Sequence, residues 1–472
     1  MSLVHVVEVP RRPVSQLEPV IGARRFEQLT RAAERTRAVL ARRTVWNVNS
    51  TAAGGGVAEM LQVLVGYVHD LGIAIGWLVI SGDAEFFTIT KRLHNQIHGR
   101  PSGPPLGAAE AGHYAQMLAA NAAELASRIR PGDVVLLHDP QTAGLAAPLA
   151  QAGARVVWRC HIGVDWENDV TRAGWEFLRP HLAAAEAYVF SRRNYVPAWI
   201  PADQTWIIPP SIDPFSPKNQ PLAPDTVRAI LARLGVLDGA AVPAPATFVR
   251  RDGDMDTVNR PAVIIGEGRP GTDDPVLVQV SRWDRLKDMA GVMRGFADYV
   301  APDGNGYLML VGPAVEDVSD DPEGAAVYGE CLLQWRDLRP AARARILLIT
   351  LPLDDIDENA AMVNALQRHA TVISQKSLAE GFGLTVSEGM WKGRPVIGSA
   401  IGGIIDQIAE GTGILLPDPA DLTAFGSAAR LLLGDPDQAA RIGQAAHAHI
   451  REQYVGDVHL LRYAMLLSTL IG

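Results

Sequence analysis

Short apolar runs alternate with helical patterns along most of this chain, the arrangement of βαβ units around parallel sheets. Residues 12–43 read as polar helices. An apolar run at 45–48 begins a first sheet, a glycine-rich loop follows over 49–56, and a helix covers about 57–71. Further strands are expected at 75–80, 134–138, 156–161, 188–190 and 206–208. The stretch 209–274 is rich in Pro, Gly and Asp. Apart from a helix at 225–234, it reads as linker and insertion.

A second alternating set has strands at 276–280, 307–311, 346–349, 371–374, 395–398 and 413–415. Two helical patterns then close the chain, the last over about 458–470. No internal repeat of solenoid period is present. The expected fold is α/β, with two doubly wound Rossmann-like domains facing a cleft, and ligands at the carboxyl ends of the strands. The expected domains are 1–209, 210–455 with an insertion at about 216–275, and a terminal helix, 456–472, packing back on the first domain.

Bulk properties narrow the partners. With 472 residues the chain has ample core for two or three domains. A net charge of −9 and the lack of any strongly basic segment disfavour nucleic acid and anionic membranes. The two cysteines, Cys160 and Cys331, are far apart, which argues against a disulfide framework and against a cysteine zinc site. No basic-then-apolar leader opens the chain and no apolar run is long enough to span a bilayer, so a cytoplasmic protein is expected.

The most informative stretch is 375–398, QKSLAEGFGLTVSEGMWKGRPVIG. Gly381-Phe382-Gly383 is a turn opening a short helix, and its backbone N–H groups suit an anion such as a diphosphate. Glu380 precedes the turn and Glu388 lies two helical turns beyond it; both can accept hydrogen bonds from sugar hydroxyls. Two glutamates at this spacing also arise by chance on a solvated helix face. Arg282 and Lys287, in the loop after strand 276–280, suit a diphosphate, Arg as a fork and Lys as a point charge. Singly, such cations are usually just solvated.

In the first domain, the loop Asn49–Gly56 carries Gly54, Gly55 and Gly56, which allow close backbone approach. It lacks the G-x-G-x-x-G spacing of a dinucleotide fingerprint, and a purely structural turn stays open. Asp139 and His161 end adjacent strands, and a histidine there is as often structural as functional. The stretch 82–95 could line a sugar pocket or be the core and surface of an ordinary helix. No G-x-S-x-G elbow occurs, and no metal site is expected.

Together these stretches resemble glycosyltransferase family 4, of the GT-B fold, and more narrowly its trehalose synthase branch, which includes glycosyltransferring synthases and retaining trehalose phosphorylases. The stretches are VNSTAAGGGVAEML, FFTITKRLHN, LLHDPQTAGL, WRCHIGVD, SDDPEG, ENAAMVNALQRHA and the 375–398 run. The resemblance weakens over 216–275, and Gly389 stands where alanine is usual. It implies that Glu380 contacts donor-sugar hydroxyls near the anomeric centre and that Glu388 holds the ribose. It gives Arg282, Lys287, Gly381, Phe382, Gly383 and Leu384 the diphosphate, with Gly55 and Gly56 approaching it from the other domain. His161 would bind the transferred sugar and Asp139 the acceptor, with the base near Leu351 and Leu353.

The implied activity is retaining transfer from a nucleoside-diphosphate glucose to glucose, giving α,α-trehalose, with no metal and no cofactor beyond the donor. The alternatives are a retaining trehalose phosphorylase and a silent sugar or nucleotide binder. An NAD-dependent oxidoreductase is disfavoured by the missing fingerprint. The expected partners are small molecules, and the sequence leaves assembly open, a homodimer included.

Overall fold

The computed structural model describes every residue except 1, 54–55, 102, 240–243, 305 and 316–321. The chain separates into two compact units, residues 1–211 with 454–472, and residues 212–453.

The first unit is built on a seven-stranded sheet. Its strands are β1 (Val4–Val6), β2 (Val45–Asn49), β3 (Ile75–Ile80), β4 (Val134–His138), β5 (Arg155–Cys160), β6 (Ala187–Phe190) and β7 (Thr205–Ile207), in the order β1-β3-β2-β4-β5-β6-β7. All neighbours are parallel except β1, which pairs antiparallel with β3. β1 was not expected: the reading began the sheet at 45–48. Three residues are too few to display a period, and β1 owes its conformation to the β3 edge it extends.

The parallel strands are buried on both faces, as crossover helices require. Alternate side chains meet different cores. Val48, Leu78, Leu137, Trp158 and Phe190 pack with Phe86, Tyr114 and Leu178 on one side. Val45, Val134, Leu136, Val157 and Val189 pack with Leu40, Leu466 and Leu467 on the other. The last two come from the C-terminal helix Gly456–Ile471, which lies against the helix Ala23–Leu40 of the same unit.

The second unit holds β8 (Thr247–Val249), β9 (Met255–Thr257), β10 (Val263–Ile265), β11 (Val276–Val280), β12 (Tyr307–Pro313), β13 (Ile346–Leu351), β14 (Val372–Gln375), β15 (Val396–Ser399) and β16 (Gly413–Leu416). Its main sheet runs β10-β13-β12-β11-β14-β15-β16 and is parallel except for β10. The expected linker is therefore partly sheet. Val263–Ile265 extends the β13 edge, and β8 and β9 form a separate two-stranded ribbon. Their runs of three are masked by flanking Pro, Gly and Asp. The helix Pro224–Leu234 lies where it was expected, within one residue, and packs on Ile356–His369.

Three helices, not two, follow β16: Leu422–Gly434, Pro436–Gln453 and Gly456–Ile471. The extra break falls at Asp435-Pro436, where proline opens a new helix because it has no N–H to give to the previous one. No helix among the described residues is long and apolar enough to cross a membrane.

Candidate active site

In the second unit, β14 ends at Gln375 and the chain turns through 376–383 into the helix Leu384–Trp391. Gly383 caps that helix in the left-handed region, at φ 79° and ψ 57°, which glycine adopts without a Cβ penalty. No side chain caps the helix and its first turn holds no acidic residue. Helix-end N–H groups without intrahelical partners, with the positive end of the helix dipole, favour an anion there. Gly403 lies against the same turn. A Cβ on it would meet Phe382 Cα at 2.7 Å and Phe382 O at 2.8 Å, so only glycine allows this approach.

Lys287 and Glu380 come together beside this turn. Lys287 Nζ lies 2.6 Å from Glu380 Oε2. The same oxygen accepts from Gln375 Nε2 and Ser377 Oγ, each at 3.3 Å, and Oε1 accepts from the Gly381 N–H at 3.2 Å. The sequence had separated these residues into a phosphate ligand and a sugar ligand; here each holds the other. Lys287 ends a short turn, Arg285–Lys287, capped by Asp284 Oδ1, which accepts from the Leu286 N–H. Arg282 is exposed, with Nη2 3.2 Å from Asp284 Oδ2.

Glu388 is buried in the helix, its Oε1 3.4 Å from Lys218 Nζ. Lys392, one turn on, donates to Asn219 Oδ1 and to the Glu388 carbonyl. Burial pushes the Lys392 ammonium well below its usual range, against the pull of Glu388. Lys376, wholly buried, pairs with Asp288 at the start of the helix Met289–Tyr299 and ties β14 to it. Leu353 lies just beyond β13, two residues after buried Leu351. Lys218, Ser377 and the Lys376–Asp288 pair were not foreseen. The first and last depend on partners far away in the chain, which no local spacing announces.

The first unit carries a separate polar cluster. Asn47, His138 and Arg159 continue, two residues on, the alternation of Val45, Leu136 and Val157, so they share the face covered by the C-terminal helix. His161 follows β5 rather than ending it. Asp139 is a non-glycine residue at φ 63°, a conformation that costs on the order of 1–3 kcal/mol and must be held by its surroundings. Its Oδ1 accepts from the His161 N–H at 2.7 Å, its N–H donates to the Arg159 carbonyl at 2.8 Å, and its carbonyl accepts from Trp158 Nε1 at 3.2 Å. Burial raises the Asp139 carboxyl to about 6, opposed by the His161 N–H and by Arg159.

The His138 and His161 rings are near parallel, at 13°, with centroids 5.2 Å apart, and His138 Nδ1 is 2.9 Å from His161 Nε2. Burial and then Arg159 depress both imidazoles, His138 to about 3 and His161 well below its usual range. Arg159 is fully buried, its Nη2 donating to Ser191 Oγ at 3.3 Å. Asn47, His138 and Arg159 were not singled out as site residues in the sequence; the period-two alternation that carries β2, β4 and β5 would have put them on one face.

Of the remaining expected positions, Gly55 lies outside the described residues. Gly56 begins the helix Gly56–Asp70 with open space where a Cβ would stand. The stretch 82–95 forms the amphipathic helix Ala84–Ile97, capped by Asp83, with Phe86, Ile89 and Leu93 in the core and Phe87 partly exposed. Gly389 sits where a Cβ would meet Ile373 Cγ1 at 3.1 Å, so Ile373 fills the space of the missing methyl.

The two sheet-and-helix units have the GT-B fold. The solved trehalose-phosphate synthase (UDP-forming) of Burkholderia vietnamiensis superposes with a TM-score of 0.65 at 15% identity, covering 91% of this chain and 99% of that one. Residues 47–197 match the model for the trehalose synthase N-terminal domain, and residues 357–449 match glycosyl transferases group 1. The trehalose synthase of Rubrobacter xylanophilus is 32% identical over 431 residues, 91% of each chain. That of Pyrococcus horikoshii is 32% identical over 466 residues, 98% of this chain and 97% of its own. The trehalose phosphorylase of Pleurotus pulmonarius is 24% identical over 87% of this chain, which spans 54% of that protein. The chain belongs to the trehalose synthase family and is a trehalose-related glycosyltransferase.

Proposed function

We propose that this protein transfers glucose from a nucleoside-diphosphate glucose to free glucose with retention, forming α,α-trehalose. The observation that carries the reading is the meeting of Lys287 and Glu380 at the uncapped start of the Leu384–Trp391 helix, with Glu388 buried in that helix. A cation, a carboxylate and helix-end N–H groups at one turn suit the two halves of a sugar diphosphate. The diphosphate takes the helix end, Lys287 and Arg282. Its arrival competes with Glu380 for Lys287 and releases the carboxylate to accept sugar hydroxyls. Glu388 holds the ribose.

The route we infer is front-face displacement. The glycosidic C–O bond to the diphosphate breaks as charge develops on the phosphate oxygen, where Lys287 and Arg282 stabilise it. The acceptor hydroxyl attacks from the same face and passes its proton to the departing phosphate. Asp139 positions the acceptor and His161 the transferred sugar.

The test incubates the protein with UDP-, ADP-, GDP- or dTDP-glucose and glucose, and identifies the product by NMR. An α,α-1,1 disaccharide is expected; a β linkage or an α-1,4 linkage overturns the reading. Similarity to a trehalose phosphorylase favours one rival, in which the same helix end takes inorganic phosphate. Glu388→Ala separates the two. In a synthase it weakens nucleotide-sugar binding by about 1.5–3 kcal/mol, the worth of a charge-assisted hydrogen bond. In a phosphorylase it leaves phosphorolysis of trehalose unchanged.

A further inference from the structure

The polar cluster of the first unit contains a directed chain of hydrogen bonds ending at His161. Asn47 Oδ1 lies 3.1 Å from His138 Nε2, and His138 Nδ1 lies 2.9 Å from His161 Nε2. An amide oxygen can only accept, so His138 must carry its proton on Nε2. Its Nδ1 is then a lone pair, and the proton between the rings belongs to His161 Nε2. His161 Nδ1 is left as the acceptor.

We propose that Asn47 and His138 are positioning residues that fix His161 as the neutral Nε2–H tautomer. That His161 offers a sugar an acceptor, its Nδ1, is thereby set by a residue two strands away. A neutral imidazole free of such a partner exchanges between tautomers. The two rings are near parallel, at 13°, which suits an in-plane hydrogen bond between them.

The surroundings favour neutral rings. Arg159 acts on the pair from β5 and His459 from the C-terminal helix, while Tyr463, Asp139 and Cys160 act on Arg159. His459 Nδ1 is 3.0 Å from the Pro209 carbonyl, so it is spent on the backbone and supplies no competing proton to His138. Among these groups Asp139 is the one carboxylic acid, and it accepts from the His161 backbone N–H.

The proposal rests on the sugar-binding role given to His161, and its test separates the two. Nitrogen-15 NMR of histidine-labelled protein, with His161→Gln to assign the signal, reports the tautomer directly and needs no substrate. In the wild type at pH 7, His161 Nε2 should read as protonated and Nδ1 as bare. The reverse pattern, or an averaged one, overturns the relay.

Asn47→Asp then tests its consequence. A carboxylate on Nε2 stabilises the His138 imidazolium, whose Nδ1–H donates to His161 Nε2 and forces the proton onto His161 Nδ1. At pH 6 the variant should show the reversed His161 tautomer and a kcat lower by about 10- to 100-fold. As pH rises and His138 loses its extra proton, tautomer and kcat should recover together, an ascending limb absent from the wild type. A loss that stays flat with pH is a packing defect and overturns the relay. A wild type with the expected tautomer that forms no disaccharide upholds the relay and faults the functional reading.

Discussion

Asp457, in the first turn of the C-terminal helix, is wholly buried, and its partner is Arg25 of the helix Ala23–Leu40. Arg25 Nε is 2.9 Å from Oδ2, and Nη2 is 2.7 Å from both carboxylate oxygens. Replacing Arg25 by Met keeps most of the apolar stem and removes the cation. At 2.7 Å the lost attraction is about 6 kcal/mol for an effective dielectric near 20, and the carboxylate remains out of water. Stranding one partner of a buried pair costs about 3–5 kcal/mol. For a unit of ~230 residues, at roughly 2–4 °C per kcal/mol, the transition of the first unit should fall by roughly 6–20 °C.

Burial already raises the Asp457 carboxyl, opposed by Arg25, and losing Arg25 raises it further. A carboxyl whose folded value lies above its unfolded one contributes stability at low pH, and loses it as pH rises through the folded value. The Arg25→Met deficit should therefore be smaller at pH 5 than at pH 8. Calorimetry on wild type and variant at both values measures it, since the two units need not unfold as one. Arg25→Met with Asp457→Leu removes both charges and should recover most of the loss. A single variant within about 2 °C of wild type at both pH values, or a deficit that grows toward pH 5, would refute the reasoning.

Glu380→Gln should lower kcat by up to about 100-fold while calorimetry finds nucleoside-diphosphate binding undiminished, since the diphosphate no longer competes with a carboxylate for Lys287; a glucosyl adduct trapped on Glu380 by mass spectrometry would sink the front-face route. Asp139, raised to about 6 in the folded state, should add stability below pH 4 that disappears as pH rises through 6; Asp139→Asn should lack that slope in chemical denaturation across this range. Gly389→Ala gains up to about 1 kcal/mol of helix propensity but drives its Cβ against Ile373. Alone it should give no stabilisation, whereas with Ile373→Val it should become stabilising, and strict additivity in the double-mutant cycle would contradict that contact.

The sequence alone determined the α/β alternation, nearly every parallel strand and the Gly381–Gly383 turn before a helix, because each is written locally. Period-two burial, glycine at a left-handed cap and apolar runs between helices need no distant partner to be recognised. Local spacing also drew attention to Glu380, Glu388, Arg282 and Lys287 as residues of one kind of chemistry.

The edge strands Val4–Val6 and Val263–Ile265 were decided by tertiary structure, since three residues become a strand only when an existing edge pairs with them. So was the pairing of Lys287 with Glu380, which lie 93 positions apart. The same holds for the Asn47–His138–His161 chain, whose members come from β2, the end of β4 and the residue after β5. Which nitrogen of a histidine carries a proton depends on the single atom facing it. That atom belongs to a neighbouring strand, and only the folded sheet brings it there.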